Sequence, residues 1–519
     1  MAKALRLVIL CVASIGVFTG FVSFGSGDRT SVGLVDEVRL VGATFLGGSG
    51  TDDSYETSIA VAADSSIYVS GFTASTDFPV TPDAYGKAFS GGVTDRFVSR
   101  FDSGLDRMPA STYIGSAGAS VGFIGGNGDD VGHAIGVDGD GNVFIAGYTE
   151  SPDYPVTLSG FDTGYNGGRD VFISKFDSGL TKLLASTFVG GSGDEGYRWP
   201  RIDLAVTAAG DVIVAGITHS VDFPVTADGF DREFNGGTES GDAFVVVLDN
   251  SLSTLKASTY LGGSQNEWRV AVHAVEGGGV LVCGETESSD FPTSANAYSR
   301  ALKKIKDVFI ARFDDELSTL EASTLFGGSK LDEALDVELS AAGEVFITGY
   351  TESEDLPVTA GSYNRAWGGG KREGYAAKFD ADLSTLVSST FFGGSAVDFP
   401  RGLALDQEGN VYITGNTTSR DFPVTANALS NGYRGGSSRG DVFVLIFDGS
   451  LHDLKYSALI GGKSEDTGFC IDVDAQGGVV IGGSTNSADF PMGADSYDDS
   501  YNGGSNDSFV IKFSGMGSR

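Results

Sequence analysis

The sequence predicts an all-β fold: one seven-bladed β-propeller of four-stranded blades, closed by an N-terminal strand that completes the last blade. Three observations predict it. First, two markers recur in step. Asp77-Phe78-Pro79 returns as Asp153-Tyr154-Pro155, Asp222-Phe223-Pro224, Asp290-Phe291-Pro292, Asp355-Leu356-Pro357, Asp421-Phe422-Pro423 and Asp489-Phe490-Pro491. Gly-Gly pairs begin at Gly47, Gly125, Gly190, Gly262, Gly327, Gly393 and Gly461. Two independent markers that each count seven fix an internal repeat, and a repeat accounts for 519 residues as one domain instead of several. Second, every repeat holds four strand-like runs. Third, the chain starts and stops out of phase with its own repeat.

The second repeat shows the runs. They are Ala134–Val137, Val143–Tyr148, Val171–Phe176 and Ala185–Val189, rich in β-branched and aromatic residues and bounded by Gly, Asp and Asn. Asp140-Gly141-Asn142 is a hairpin turn between the first two. The middle runs are apolar on both faces, as sheets packed face to face require. The fourth run leads into the Gly-Gly pair, expected to free the chain to cross to the next blade. A longer loop between the second and third runs carries Asp-Phe-Pro at one end and Asn166-Gly167-Gly168 at the other. The first repeat-like segment, Gly42–Leu46, matches a fourth run, and the last, Ser508–Phe513, matches a third. Such an offset closes a ring and removes exposed sheet edges; an open solenoid gains nothing from it.

The ends and the composition bound the rest. Lys3 and Arg6 precede an apolar run from Leu7 to Phe24, with small residues at Ser23 and Gly25. Residues 1–27 are therefore read as an export signal or an N-terminal membrane anchor, followed by a linker over 28–40, the propeller over 41–514 and a tail over 515–519. Cys11 sits inside the apolar run behind Leu10, which does not suit lipid attachment, and no later stretch could span a membrane as a helix. Cys283 and Cys470 fall at different strand positions of different repeats, so stability is expected from packing and not from a disulfide. The formal charge of −35 repels nucleic acid and anionic membranes and favours cations.

The segments Ala257–Ser264, Gly141–Thr149, Asp222–Thr226 and Asp307–Phe313 resemble the bacterial and archaeal seven-bladed β-propeller repeat family, seven times over residues 41–514. The resemblance implies a secreted or cell-surface protein and brings no catalytic residues. Many members of that family attach the propeller to adhesion-type or sorting domains. This sequence stops at Arg519 just after the last strand, so covalent wall attachment is not expected.

Acids are the most regular polar feature. The fourth residue after each Gly-Gly pair is acidic: Asp52, Asp130, Glu195, Glu267, Asp332, Asp398 and Asp466. An acid also opens each third run: Asp95, Asp170, Asp242, Asp307, Glu373, Asp441 and Asp507. A task repeated identically in every blade reads as structural, with carboxylates capping turns. The functional reading of the first set is a ring near the central channel that binds Ca²⁺ through oxygen ligands. Asp138-Gly139-Asp140-Gly141-Asn142 starts like a calcium loop, but Val143 stands where that loop needs Gly and Thr149 where it needs an acid, so it reads as a turn.

Departures from the repeat speak more to function. Between the acid and the first run, repeat 3 carries Tyr197-Arg198-Trp199-Pro200-Arg201, repeat 4 Trp268-Arg269 and repeat 6 Phe399-Pro400-Arg401. These residues are basic and aromatic in an acidic protein, at segments expected near the mouth of the axis. Arg forks suit carboxylates and Trp faces suit sugar rings. The structural alternative pairs these Arg with neighbouring acids and uses the aromatics to fill gaps between blades. The four His show no metal-ligand spacing and no G-x-S-x-G elbow occurs. The expected function is a non-catalytic surface or secreted propeller that binds a glycan or protein, or acts as a scaffold. A carbohydrate-active enzyme with axial carboxylates and a structural subunit of a surface assembly are the alternatives.

Overall fold

The computed structural model describes residues 38–53, 57–90, 93–114, 130–196, 201–303, 305–430, 432–436, 438–493 and 495–515. The signal or anchor segment, the insertion around 117–123 and the tail residues 516–519 lie outside the described residues. Twenty-eight strands, numbered β1 to β28 in chain order, form seven four-stranded antiparallel sheets. In the second blade these are β6 (Asp130–Val137), β7 (Val143–Thr149), β8 (Asp170–Phe176) and β9 (Leu183–Val189), the four runs foreseen, each lengthened by one or more residues. Asp138 makes their first turn. Its carboxylate accepts the Asp140 and Asn142 N–H groups at 3.0 and 2.8 Å, and Gly141 takes φ +81°. β7 is buried at every position, as a strand covered on both faces must be.

The first strands of the blades form the innermost ring. They are β2 (Ser58–Val61), β6, β10 (Asp203–Val206), β14 (Glu267–Ala274), β18 (Asp332–Leu339), β22 (Asp398–Leu405) and β26 (Asp466–Val473). Each neighbours the next, and β26 neighbours β2. Between successive blades lie seven apolar clusters, such as Ile213, Val245, Val272, Phe309 and Leu317. Cys283 and Cys470 are both free.

Three devices position the loops. Phe291 of Asp-Phe-Pro stacks on Phe309 at 4.6 Å, and the equivalent pairs recur, as with Phe78 on Phe97 at 4.4 Å. The preceding Asp290 accepts the Ser264 N–H at 2.9 Å and its hydroxyl at 3.0 Å, which pins the Gly-Gly-Ser turn. Third, the hairpin joining β16 (Asp307–Phe313) to β17 (Leu320–Phe326) holds Leu317 at φ +52°, with its side chain fully buried. Its carbonyl accepts the Phe230 N–H of the preceding blade at 2.8 Å.

The same hook joins the last blade to the first, where the Tyr497 N–H donates to the Leu105 carbonyl at 3.0 Å. There β1 (Arg39–Leu46) pairs antiparallel with β28 (Asp507–Ser514), so the N-terminal strand closes the ring. β1 starts two residues inside the segment read as linker, because Arg39 and Leu40 reach Ser514 and Phe513 across a bulge.

The Gly-Gly pairs serve close approach more than backbone freedom. A Cβ on Gly461 would stand 2.7 Å from an oxygen of Asp441 and 2.7 Å from one of Asp466, while that on Gly48 would meet Asp77 at 2.6 Å. Neither glycine has a left-handed φ. Among the described pairs Gly393 alone takes a positive φ, +144°, so at the other joints the expectation that the pair frees the chain is replaced by a steric one.

Candidate functional site

Two groups of charged side chains recur at definable places: acids between the blades and arginines on the innermost ring. The acids after the Gly-Gly pairs are buried at the joints between blades. Asp332 accepts the Gly328 N–H at 2.7 Å, the Ser353 hydroxyl at 3.0 Å and the Thr351 hydroxyl. Asp52, Asp398 and Asp466 repeat this triad of Gly, Ser and Thr donors with Gly48, Gly394 and Gly462. Glu195 takes the Thr218 and Ser220 hydroxyls, and Glu267 the Thr286 hydroxyl at 2.7 Å. The side chain of Asp130 lies outside the described residues. Across each of the six described glycines stands the acid that opens the third strand of the preceding blade, as Asp307 faces Asp332.

Burial pushes these carboxyls up. Asp52, Asp332 and Asp398 rise to about 6, Asp466 to about 7, Glu195 to about 8 and Glu267 to about 9. The Asp-Phe-Pro aspartates move the other way. Asp290 is held below the usual carboxylate range by the Ser264 donors, and Asp222, Asp355 and Asp421 by their own serines. Among the described residues, no three His, Cys, Asp or Glu side chains gather as a metal site would need.

The axial group lies at the ends where β10, β14 and β22 begin. Arg401 is the extra residue of a bulge in β22, since pairing with β23 (Val411–Thr417) passes from Pro400 to Gly402. A bulge re-aims a side chain. The Arg401 guanidinium lies against the rings of Phe399 and Phe469, 4.6 and 4.9 Å from their centres, and donates weakly to Asn416 at 3.3 Å. It forms no carboxylate ion pair among the described residues. Burial, then Arg439, Arg269 and Arg201, lower it to about 9, so four guanidiniums share one neighbourhood.

Arg201 donates to the Leu335 carbonyl at 2.6 Å, and Arg269, at φ +38°, pairs with Glu333 at 2.9 Å. Beside Arg269, Glu285 is fully buried with neither oxygen hydrogen-bonded. Burial and Glu333 hold it well above the usual range.

Further along the inner strands the charge changes sign. Asp203, Asp336 and Asp472 each clasp the next blade, accepting the Val272, Leu403 and Val61 N–H groups at 2.9, 2.8 and 3.0 Å. Burial raises Asp336 to about 7 and Glu338 to about 8, while it lowers His273, which lies 3.3 Å from Glu338.

The structure thus brings Arg201, Arg269 and Arg401 together, with Phe399 against Arg401. Trp268 is turned elsewhere: the Lys306 ammonium sits 4.3 Å above its ring. Tyr197, Arg198, Trp199 and Pro200 lie outside the described residues. Sequence reasoning missed Glu285, Arg439 and the acidic band. Glu285 had a signal. It occupies the second-strand position held by Phe72, Tyr148, Ile217, Tyr350, Asn416 and Ser484, so it is a lone acid in that column. Arg439 lies in the variable loop before a third strand, where the repeat imposes no residue type.

Residues 384–423 match the family described as Beta-propeller repeat. With the seven-bladed ring, that match supports a β-propeller repeat family. No curated protein matches the chain by sequence. Similar solved structures include a protein of unknown function from Dyadobacter fermentans DSM 18053, 10% identical over 92% of this chain and 99% of that one, with a TM-score of 0.40. An ulvan lyase of a new polysaccharide lyase family is 9% identical over 86% and 92%, with a TM-score of 0.40. The acylaminoacyl peptidase of Pyrococcus horikoshii is 8% identical over 86% and 50%, with a TM-score of 0.38. Likeness at these identities concerns fold alone.

Proposed function

We propose that this protein is a non-catalytic secreted or cell-surface propeller whose axial arginines bind an anionic group on a glycan or a protein. One observation carries the reading: Arg401 has no carboxylate partner among the described residues, yet it lies within the electrostatic reach of Arg201, Arg269 and Arg439 in a chain of charge −35. Clustered guanidiniums repel one another, and a carboxylate or sulfate that accepts from their forks relieves that repulsion. The aromatic walls of Phe399 and Phe469 hold the Arg401 side chain in place. Binding is favoured over catalysis because Glu285, an unpartnered carboxylate beside Arg269, is sealed from solvent.

The test is titration with carboxylated, sulfated and neutral oligosaccharides and with a short acidic peptide, at low and high salt. An anionic probe is expected to bind with salt-sensitive affinity, and Arg401→Gln to weaken it roughly ten- to hundredfold, the worth of one hydrogen bond to a charged group. Equal binding by Arg401→Gln, or binding of the neutral probe alone, overturns the reading.

A further inference from the structure

The acids that open the third strands pose a separate problem. Asp170, Asp242, Asp307, Glu373, Asp441 and Asp507 are at most 1% exposed. Each has one carboxylate oxygen fixed by a backbone N–H, as Asp307 is by Lys303 at 2.9 Å and Asp170 by Asn166 at 2.8 Å. The other oxygen of each has no hydrogen-bond donor. In all six it is this orphan oxygen that flanks the first glycine of the Gly-Gly pair, opposite an oxygen of the next blade's acid. At Gly262 the flanking oxygens belong to Asp242 and Glu267, 2.8 and 2.6 Å from the Cβ position; at Gly327 they belong to Asp307 and Asp332, 2.6 and 2.9 Å away.

An ionised carboxylate is an acceptor only, so two of them facing one another inside a protein leave both uncompensated. The partner acid is already supplied with hydroxyl donors, and in most joints with the glycine N–H as well. The orphan oxygen lacks a proton at every one of these joints, and at Gly262 the facing Oε2 of Glu267 lacks one too. At Gly190 the orphan oxygen of Asp170 and an oxygen of Glu195 flank the glycine in the same way. We propose that each of these six blade joints binds one proton, held by the third-strand acid and donated to the acid of the next blade, so that the ring closes on six shared protons.

Neighbouring charges favour keeping the proton at most joints. Asp162 faces the Asp170–Glu195 pair, and Asp231 and Asp290 face Asp242–Glu267. Asp421 faces Glu373–Asp398, and Asp498 and Asp77 face Asp507–Asp52. Lys303 faces Asp307, and Arg434 opposes Glu465 at Asp441. Those two joints are expected to let go first. Asp95, the third-strand acid of the first blade, differs: both of its oxygens are satisfied by Ser90. The sign of the linkage follows. The folded ring holds protons that the unfolded chain releases near pH 4, so these joints contribute fully at acid pH and lose their contribution as pH rises through the folded values. Asp307 and Asp441 go at about 6, Asp170, Asp242 and Asp507 at about 7, and Glu373 at about 8.

Infrared spectroscopy of the full chain at near-neutral pH is expected to show a carbonyl band of protonated carboxylic acid. An Asp170→Asn, Asp242→Asn, Asp507→Asn variant, whose amides donate in place of the acid protons, should lose the share of that band carried by these three joints and keep the share of Glu373, Glu285 and Glu338. Its melting temperature should exceed that of the parent at about pH 9, where the parent has ionised. Asp170→Asn alone, with its proportionate loss of band, serves if the triple variant does not fold. Absence of the band from the parent overturns the proposal. So does a rise in melting temperature when Ca²⁺ is added to chelator-treated parent but not to the variant, which would give the joints to a cation.

Discussion

Replacing Gly327 by Ala isolates the steric demand of the blade joint. The new methyl would stand 2.6 Å from Asp307 Oδ1 and 2.9 Å from Asp332 Oδ2, well inside contact distance. Neither carboxylate can yield cheaply. Asp332 is tied to Gly328, Thr351 and Ser353, and Asp307 to the Lys303 N–H. Overpacking a rigid site costs about 1–3 kcal/mol, and displacing one hydrogen bond to a charged group adds about 1.5–3 kcal/mol. An intermediate figure of about 3 kcal/mol is expected. With an unfolding entropy of about 2 cal/mol/K per residue over the ring, that lowers the melting temperature by only about 3 °C, so denaturant midpoints are the better assay. Two comparisons fix the cause. Gly343→Ala, at φ +82° with only a side-chain carbon of Ala381 nearby at 3.6 Å, should cost about 1 kcal/mol for conformation alone. Combining Gly327→Ala with Asp307→Ala should recover at least about 1 kcal/mol of the sum of the single effects. Strict additivity, or a Gly327→Ala variant within about 0.5 kcal/mol of the parent, refutes the reasoning.

Other substitutions address other links. Thr351→Val takes a donor from buried Asp332, so a loss of about 1–3 kcal/mol is expected by chemical denaturation. Asp290→Asn should flatten the acid side of the stability profile, because the lowered carboxyl contributes above its unfolded value and loses that contribution as pH falls; pH-dependent melting checks this. Leu317→Ala should cost about 2–5 kcal/mol for lost burial, and Leu317→Gly about 1 kcal/mol less than that, because glycine accepts φ +52° without strain. Removal of residues 1–46 exposes the edge of β28, and light scattering should then report concentration-dependent association.

The ring was legible in the sequence because its cause is local and repeated. Each Asp-Phe-Pro and each Gly-Gly does the same work in its own blade, and the offset of Gly42–Leu46 against Ser508–Phe513 encodes the closure directly. The axial arginines were legible as breaks in that pattern. What was not legible is anything set by pairing across blades. That Asp307 faces Asp332 depends on how far one sheet stands from the next, and no spacing along the chain records it. Trp268 misled for another reason: its partner, Lys306, lies in the same blade but on the variable loop before the third strand, and carries no motif. The acidic band failed differently. Asp203 and Asp336 share one register position, opposite Ala215 and Thr348, but Asp472 stands two residues further on, opposite Val480, and the other repeats carry no acid in the column of Asp203, so it does not read as an acidic one.

The pairing of β1 with β28 has a consequence for the order in which the molecule can be made. Thr44 and Asp498, bonded across the seam, are 454 residues apart, whereas every other blade is assembled from consecutive strands. A ribosome completes six blades before the partner of the first strand exists. The entropy of so long a closure grows only logarithmically, so the finished ring loses little stability by it. Its folding time is another matter, since pairings of high sequence separation form late. A circular permutant that begins at Gly47 and carries residues 38–46 after Ser514 would turn this longest contact into an ordinary hairpin. It should reach the same ring sooner.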